Sequence, residues 1–324
     1  LMRSSAASDV YKRQEIKGDS DHTKLIDMLT DLNDYSIGIE DVLKEHFDEE
    51  NIVYWMAFQI LMGNVDTQNR NVYLYSPLNS DIWYFIVWDN DGCLMRPEYE
   101  LRNFSDQNSW EKGISNYWGN ILFQRCLKSR SFREKLNDAI LDLREYLNKD
   151  MLTSKIESYK NVLKPYLYLM PDAEYEPLTS EQYDQIAASL PDEIEKNYQL
   201  YLESLETPMP FYIGVPTIDG DKLKFNWDVS YDLDAEDITY SVEVAGDYLF
   251  RDVIYQNTTL TVPEAEMDLP KAGQYFVRVR ATNTSGKTQD AFDYYVTDEG
   301  KHYGMKCFYI TEDSTVEEDN YEEG

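Results

Sequence analysis

Cysteine and histidine are scarce in this chain, with three of each in 324 residues, and Cys93, Cys126 and Cys307 fall in unrelated segments. Thiols so placed give no paired zinc spacing, and no histidine stands near Cys93 in sequence. Neither a structural zinc site nor thiol catalysis is expected. Positive charge is also short: 30 basic residues face 61 acids, a formal net charge of −31. Nucleic acid and anionic membrane surface are excluded as partners unless metal ions intervene. No apolar run reaches the ~18 residues that a membrane-spanning helix requires. What the chain does have is ample core material, 42% hydrophobic residues with 14% aromatics, enough for two domains.

Periodicity divides the chain. Residues 1–14, Leu-Met-Arg-Ser-Ser-Ala-Ala-Ser-Asp-Val-Tyr-Lys-Arg-Gln, look unrelated to the rest of the chain and read as an assembly scar, so they are set aside from fold reasoning and the natural chain is expected to begin upstream. Leu25, Ile26, Met28, Leu29, Leu32, Ile37, Ile39 and Leu43 keep helical spacing over residues 24–46. Residues 52–62 are apolar nearly all round and too long for an ordinary strand, which predicts a buried helix ending at Gly63-Asn64. A polar loop runs to Asn71, then a short β-rich run (72–75), a turn, and a second apolar run (82–88) that delivers Asp89. Helices resume at Ser129, where Ser131 to Glu134 has capping-box spacing, and continue at 151–164 and 180–205, punctuated by Pro165, Pro171, Pro177 and Pro191. From Glu206 to Pro210 the period changes from helical to alternating, and 222–228, 238–244 and 275–281 read as strands with one buried face. The last residues, 299–324, end in a run of acids and read as a tail or linker.

The informative constellation is Gly63-Asn64-Val65-Asp66-Thr67-Gln68-Asn69-Arg70-Asn71, then Trp88-Asp89-Asn90-Asp91-Gly92. An acid, an amide five residues on and a later acid are what phosphoryl transfer needs, one group to orient a hydroxyl and two to hold magnesium. Each residue taken singly has a simpler explanation, since Asp and Asn form turns through their own side chains. Together, buried helix, polar loop, hairpin and acid at the strand's end match the order of a protein-kinase catalytic lobe. A calcium hand would need an oxygen ligand where Val87 stands, and paired-acid glycoside hydrolysis has no use for the Asn71 spacing.

At these residues, and at Tyr73-Leu74-Tyr75, the sequence resembles the CotH kinase family of atypical secreted and spore-coat protein kinases, over roughly residues 20–206. The resemblance implies that Asp66 is the catalytic acid, that Asn69, Asn71 and Asp89 bind the Mg- or Mn-ATP cofactor, and that Asn71 and Asp89, with Asp91 as rival, hold the metal. It also implies a nucleotide lobe carrying a lysine, which the helical residues before Asp66 do not supply. Leu269 to Tyr275 and the Arg-Val-Arg-Ala-Thr-Asn-Thr-Ser-Gly run after it resemble the fibronectin type III signature over residues 208–298, with Tyr275 as corner tyrosine and Trp227 as core anchor. The expected architecture is multidomain: a mainly α kinase-like lobe with a β-hairpin, then an all-β immunoglobulin-like sandwich. Two functions are open. One is an extracellular or cell-surface enzyme that phosphorylates Ser or Thr of protein substrates. The other is a non-catalytic interaction scaffold engaging an extracellular partner through the fibronectin-like module.

Overall fold

The computed structural model describes residues 21–68, 71–101, 109–298 and 300–318. Two compact units result: residues up to 105 and 112–201 form the first, and 106–111 with 202–324 form the second.

In the first unit, α1 (Thr23–Asn33) and α2 (Ile39–His46) replace the single helical stretch expected over 24–46. Asp34 breaks the run, because its carboxylate takes the Ser36 amide at 2.8 Å in a local turn and Gly38 then starts the next helix. Helix α3 (Glu49–Met62) is capped by Asp48, whose side chain accepts from the Asn51 amide, and is buried around most of its circumference through Ile52, Trp55, Met56, Ala57, Ile60 and Leu61. Trp55 stacks on Phe123 with ring centroids 5.6 Å apart and tilts against Phe85 at 4.7 Å, so the hairpin is part of the same core.

That hairpin pairs β1 (Tyr73–Tyr75) with β2 (Tyr84–Ile86), Tyr73 opposite Ile86. It is held on α3 by a side chain imitating a strand: Asn51 Nδ2 donates to the Phe85 carbonyl at 3.1 Å while Asn51 Oδ1 accepts from the Phe85 amide at 2.6 Å. A free sheet edge is thereby satisfied without another strand.

After α4 (Arg96–Leu101) come α5 (Ile121–Lys128) and α6 (Arg130–Tyr146). Ser129, not Ser131, caps α6, since Ser129 has extended backbone and its Oγ accepts from the Phe132 amide at 3.2 Å. Helices α7 (Lys149–Leu167) and α8 (Ser180–Leu205) contain Pro165 and Pro191 rather than stopping at them. Around Pro191, Ala187 and Ile194 are buried, and packing outweighs the one backbone bond that proline forfeits.

The second unit is sandwich-like. A three-stranded sheet, β3 (Thr217–Asp219), β4 (Lys222–Asn226) and β7 (Glu264–Asp268), belongs to it. So does a six-stranded sheet built from β5 (Ile238–Ala245), β6 (Val253–Leu260), β8 (Gly273–Asn283), β9 (Thr288–Asp290), β12 (Met305–Ile310) and β13 (Val316–Glu318). A separate hairpin joins β10 (Tyr294–Thr297) to β11 (Gly300–Tyr303). Alternation builds the core: Leu223 and Phe225 from one sheet meet Val242, Val244, Val277, Val279 and Ala281 from the other. Trp227 lies in this core against Tyr240, ring centroids 5.5 Å apart, and the Tyr275 hydroxyl donates back to the Lys271 carbonyl at 2.9 Å.

Residues 109–111 belong with this unit by compactness. Trp110 is buried with its ring 5.2 Å from that of Phe292, and Gln289 Nε2 donates to Ser109 Oγ at 2.8 Å.

The stretch from residue 299 onward, expected as tail or linker, is different in the structure up to residue 318. Strand β12 pairs along β8 from Met305 opposite Arg278 to Ile310 opposite Gly273, and Phe308 is fully buried. The hydrophobic residues Met305, Cys307, Phe308 and Ile310 outweigh the acids beyond them. We therefore expect Phe308→Ala to cost about 3–5 kcal/mol in urea unfolding of the full chain, as is usual for a Phe-sized cavity. A chain ended after residue 298 should lose the sandwich's cooperative transition altogether. An unchanged midpoint in either case would remove β12 from the core.

Candidate functional site

Where α3 ends, Gly63 turns left-handed (φ 61°) and a Cβ there would come within 2.7 Å of Asn197 Nδ2, so only glycine serves. Asn197, from α8, donates to the Leu61 carbonyl at 2.9 Å and takes Arg96 Nη2 at 2.6 Å. Arg96 also bonds the buried Glu193 at 3.0 Å. The end of α3 is thus clasped by a polar network whose members are closed by partners rather than left in the core unpaired.

The next residue, Asn64, is 1% exposed and works in four directions. Its amide nitrogen donates to Gln59 Oε1 at 3.1 Å and to Asn90 Oδ1 at 3.2 Å, and its Oδ1 accepts from the Asp66 amide at 3.3 Å. Its carbonyl accepts from Thr67 Oγ1 at 3.1 Å. A short 3₁₀ turn, Val65–Gln68, comes next. Thr67 points inward to the Tyr117 hydroxyl at 2.9 Å and Asn116 Nδ2 holds the Val65 carbonyl at 3.3 Å, while Asp66 is turned outward and exposed. Burial pushes the Tyr117 phenol up, so it stays neutral as the partner of Thr67.

The second turn, Asn90–Gly92, is brought against the first. A Cβ on Gly92 would lie 3.0 Å from Asp66 Oδ2 and 3.1 Å from Asn64 Oδ1. The Leu94 amide donates to the Met62 carbonyl at 2.8 Å, fixing this turn to the end of α3 as well. Asp66 and the Asn90–Cys93 segment therefore meet around Asn64.

Asn71 and Asp89 flank the open end of the hairpin. Asn71 lies two residues before β1 and Asp89 three residues after β2, and the Trp88 ring lies 5.3 Å from that of Tyr73. Both residues have positive φ, 54° and 52°, a conformation that Asn and Asp adopt more readily than other side chains and that clusters at functional sites. Asp89 and Asp91 are exposed. Asn69 lies outside the described residues.

Cys93 sits behind these acids. Burial, then the charges of Asp91 and Asp66, push its thiol up to about 12, against a smaller opposing bond from Asn64. The thiol is thereby held in its neutral form. Among the described residues no group of three or more His, Cys, Asp and Glu side chains is arranged to hold a metal ion. From sequence, Gly63-Asn64 marks only a helix terminus. The Gly-Asn pair after an apolar helix was the available signal, but the roles of Asn90, Tyr117, Arg96 and Asn197 depend on partners distant in sequence.

This packing has two measurable outcomes. Because the folded thiol value of Cys93 lies above the ordinary 9.0, its neutral form contributes fully below that pH, and the contribution is lost as pH rises toward about 12. Native Cys93 should resist alkylation below pH 9.0 and react at once on unfolding, with Asp66→Asn making little difference because burial is the leading cause. Fast native alkylation would contradict the burial. Gly92→Ala should cost about 1–3 kcal/mol by overpacking, and less in an Asp66→Ala background, the coupling read from a double-mutant cycle in urea. Strict additivity would place the clash elsewhere.

Comparison with known proteins gives a family. The chain is similar to the surface layer protein SbsC, domains 1–6, at 11% identity over 93% of this chain, with a TM-score of 0.16, a level that carries no argument. The chain spans 39% of the length of that structure. No match to a curated protein was found. The family model described as CotH kinase protein matches residues 2–201, a span that takes in residues 2–14, which were set aside on sequence alone. The chain belongs to the CotH kinase protein family.

Proposed function

We propose that the chain carries the catalytic lobe of a secreted or surface protein kinase, transferring the γ-phosphoryl of ATP to Ser or Thr of coat or extracellular proteins. The observation that carries this reading is the meeting of the Asp66 turn with the Asn90–Gly92 turn around buried Asn64, in a member of a kinase family.

In this reading Asp66, exposed but fixed through its backbone amide, orients the acceptor hydroxyl and takes its proton. Asn71 and Asp89 hold Mg or Mn, with Asp91 the competitor for the main ligand and Asn69 a further contact to the nucleotide. The donor set fits such an ion: the candidate groups are amide and carboxylate oxygens, the nearby thiol is held neutral, and two protein ligands suffice where phosphate oxygens and water complete the shell. When bound, the ion neutralises charge on the transferring phosphoryl group. The sandwich is read as a fibronectin type III-like module that spaces or binds, supported by the Tyr275 hydroxyl bond to the Lys271 carbonyl and by buried Trp227.

A scaffold reading stands beside it, in which the kinase-like lobe is degenerate and the sandwich engages an extracellular partner. The variants separate the two. Asp66→Asn should lower phosphate incorporation by about 10²–10⁴-fold while nucleotide binding persists, and Asp89→Asn should abolish metal-dependent nucleotide binding itself. If Asp91→Asn abolishes it instead, the ligand assignment changes hands. No metal-dependent nucleotide binding by the longest natural form of the chain would leave the scaffold reading.

A further inference from the structure

Helix α7 buries Leu152 alone among its residues, yet its C-terminal half is strongly apolar. Tyr159, Val162, Leu163 and Tyr166, with Leu169 and Met170 just beyond the helix, recur at spacings of three and four and are 63%, 61%, 52%, 67%, 60% and 68% exposed. Within the helix that spacing puts Tyr159, Val162, Leu163 and Tyr166 in one stripe along a single flank, and Leu169 and Met170 follow in the turn beyond it. The neighbouring flank is already used within the unit, since Lys164 bonds Asp184 of α8 at 2.6 Å and Lys160 lies 3.9 Å from the same side chain. The apolar stripe has no such use.

Its size is unusual for a free surface. At roughly 150–250 Å² for a large apolar side chain, the six expose on the order of 700 Å². The largest patch on a typical monomer is about 300–600 Å², whereas each partner in a stable interface contributes about 800 Å². The area is thus of the size one side of an interface needs.

Charge along the stripe selects the occupant. Exposed Lys155 stands at its N-terminal end, and exposed Asp172 and Glu174 lie past its C-terminal end. Turned head to tail about a two-fold axis near Leu163 and Lys164, two copies of the stripe would set Lys155 of each against the acids of the other. A parallel arrangement would set lysine on lysine and acid on acid. Self-complementarity of this kind is what an isologous, closed dimer requires. We infer that the exposed face of α7 is a homodimer interface, with two copies of the chain packed antiparallel through Tyr159, Leu163 and Tyr166 and registered by Lys155 against Asp172 and Glu174.

Light scattering on the full chain at micromolar concentration should give twice the monomer mass. Leu163→Glu and Tyr166→Glu, on a face that supports nothing inside the unit, should each weaken dimerisation at least a hundredfold while circular dichroism and the unfolding midpoint stay unchanged. Lys155→Glu should weaken it about tenfold, and combining it with Asp172→Lys and Glu174→Lys in the same chain should restore it. A wild-type chain that is monomeric throughout overturns the inference. So does a dimer indifferent to Leu163→Glu, or monomeric chain that sediments with phosphatidylcholine–phosphatidylglycerol vesicles through this stripe. Failure of the charge exchange to restore the dimer overturns the antiparallel register. None of these readouts depends on phosphoryl transfer.

Discussion

Helix α3 carries the core of its unit, and the polar side chains at its two ends fix what lies beyond them. At the start, Asn51 commits both functions of its amide to the Phe85 backbone and carries β2. Just past the finish, Asn64 commits its own to Gln59, Asn90 and the Asp66 amide. One rigid rod therefore sets the hairpin at one end and the acid-bearing turns at the other. Leaving either amide's partners buried and unpaired would cost about 1–3 kcal/mol per group, which makes the two asparagines as structural as the apolar side chains between them.

Local rules read well wherever one period prevailed. The all-apolar run of α3, the turn at Gly63-Asn64, the two strands of the hairpin and the change to alternation after residue 206 were legible because each is decided by neighbours in sequence. The misreadings share a cause. Ser129 took the cap from Ser131 because backbone conformation, not spacing, decides which hydroxyl reaches an amide. Helix α7 ran on through Pro165 to Leu167, past the stop expected at 164, because a proline forfeits only one backbone bond. Residues 305–310 joined the sheet because six cross-strand pairs with β8 are available to them, a gain that the acids downstream conceal in the sequence. At the candidate site the residue types were visible, but Arg96 reaching Asn197 across 101 positions was not.

Electrostatically the site separates charge from burial. Asp66, Asp89 and Asp91 are exposed to water, where carboxylates are well solvated, while the thiol set behind them is kept neutral by burial and by the fields of Asp91 and Asp66.

Trp110 has a consequence in time rather than in space. Gln289, which donates to Ser109, is made 180 residues later on the chain, and the rings that cover Trp110 belong to Phe292 and Tyr303. At roughly 5–20 residues per second on the ribosome, the indole waits on the order of ten seconds or more before its partners emerge. Through that interval the nascent chain carries a large apolar ring whose cover is still being made.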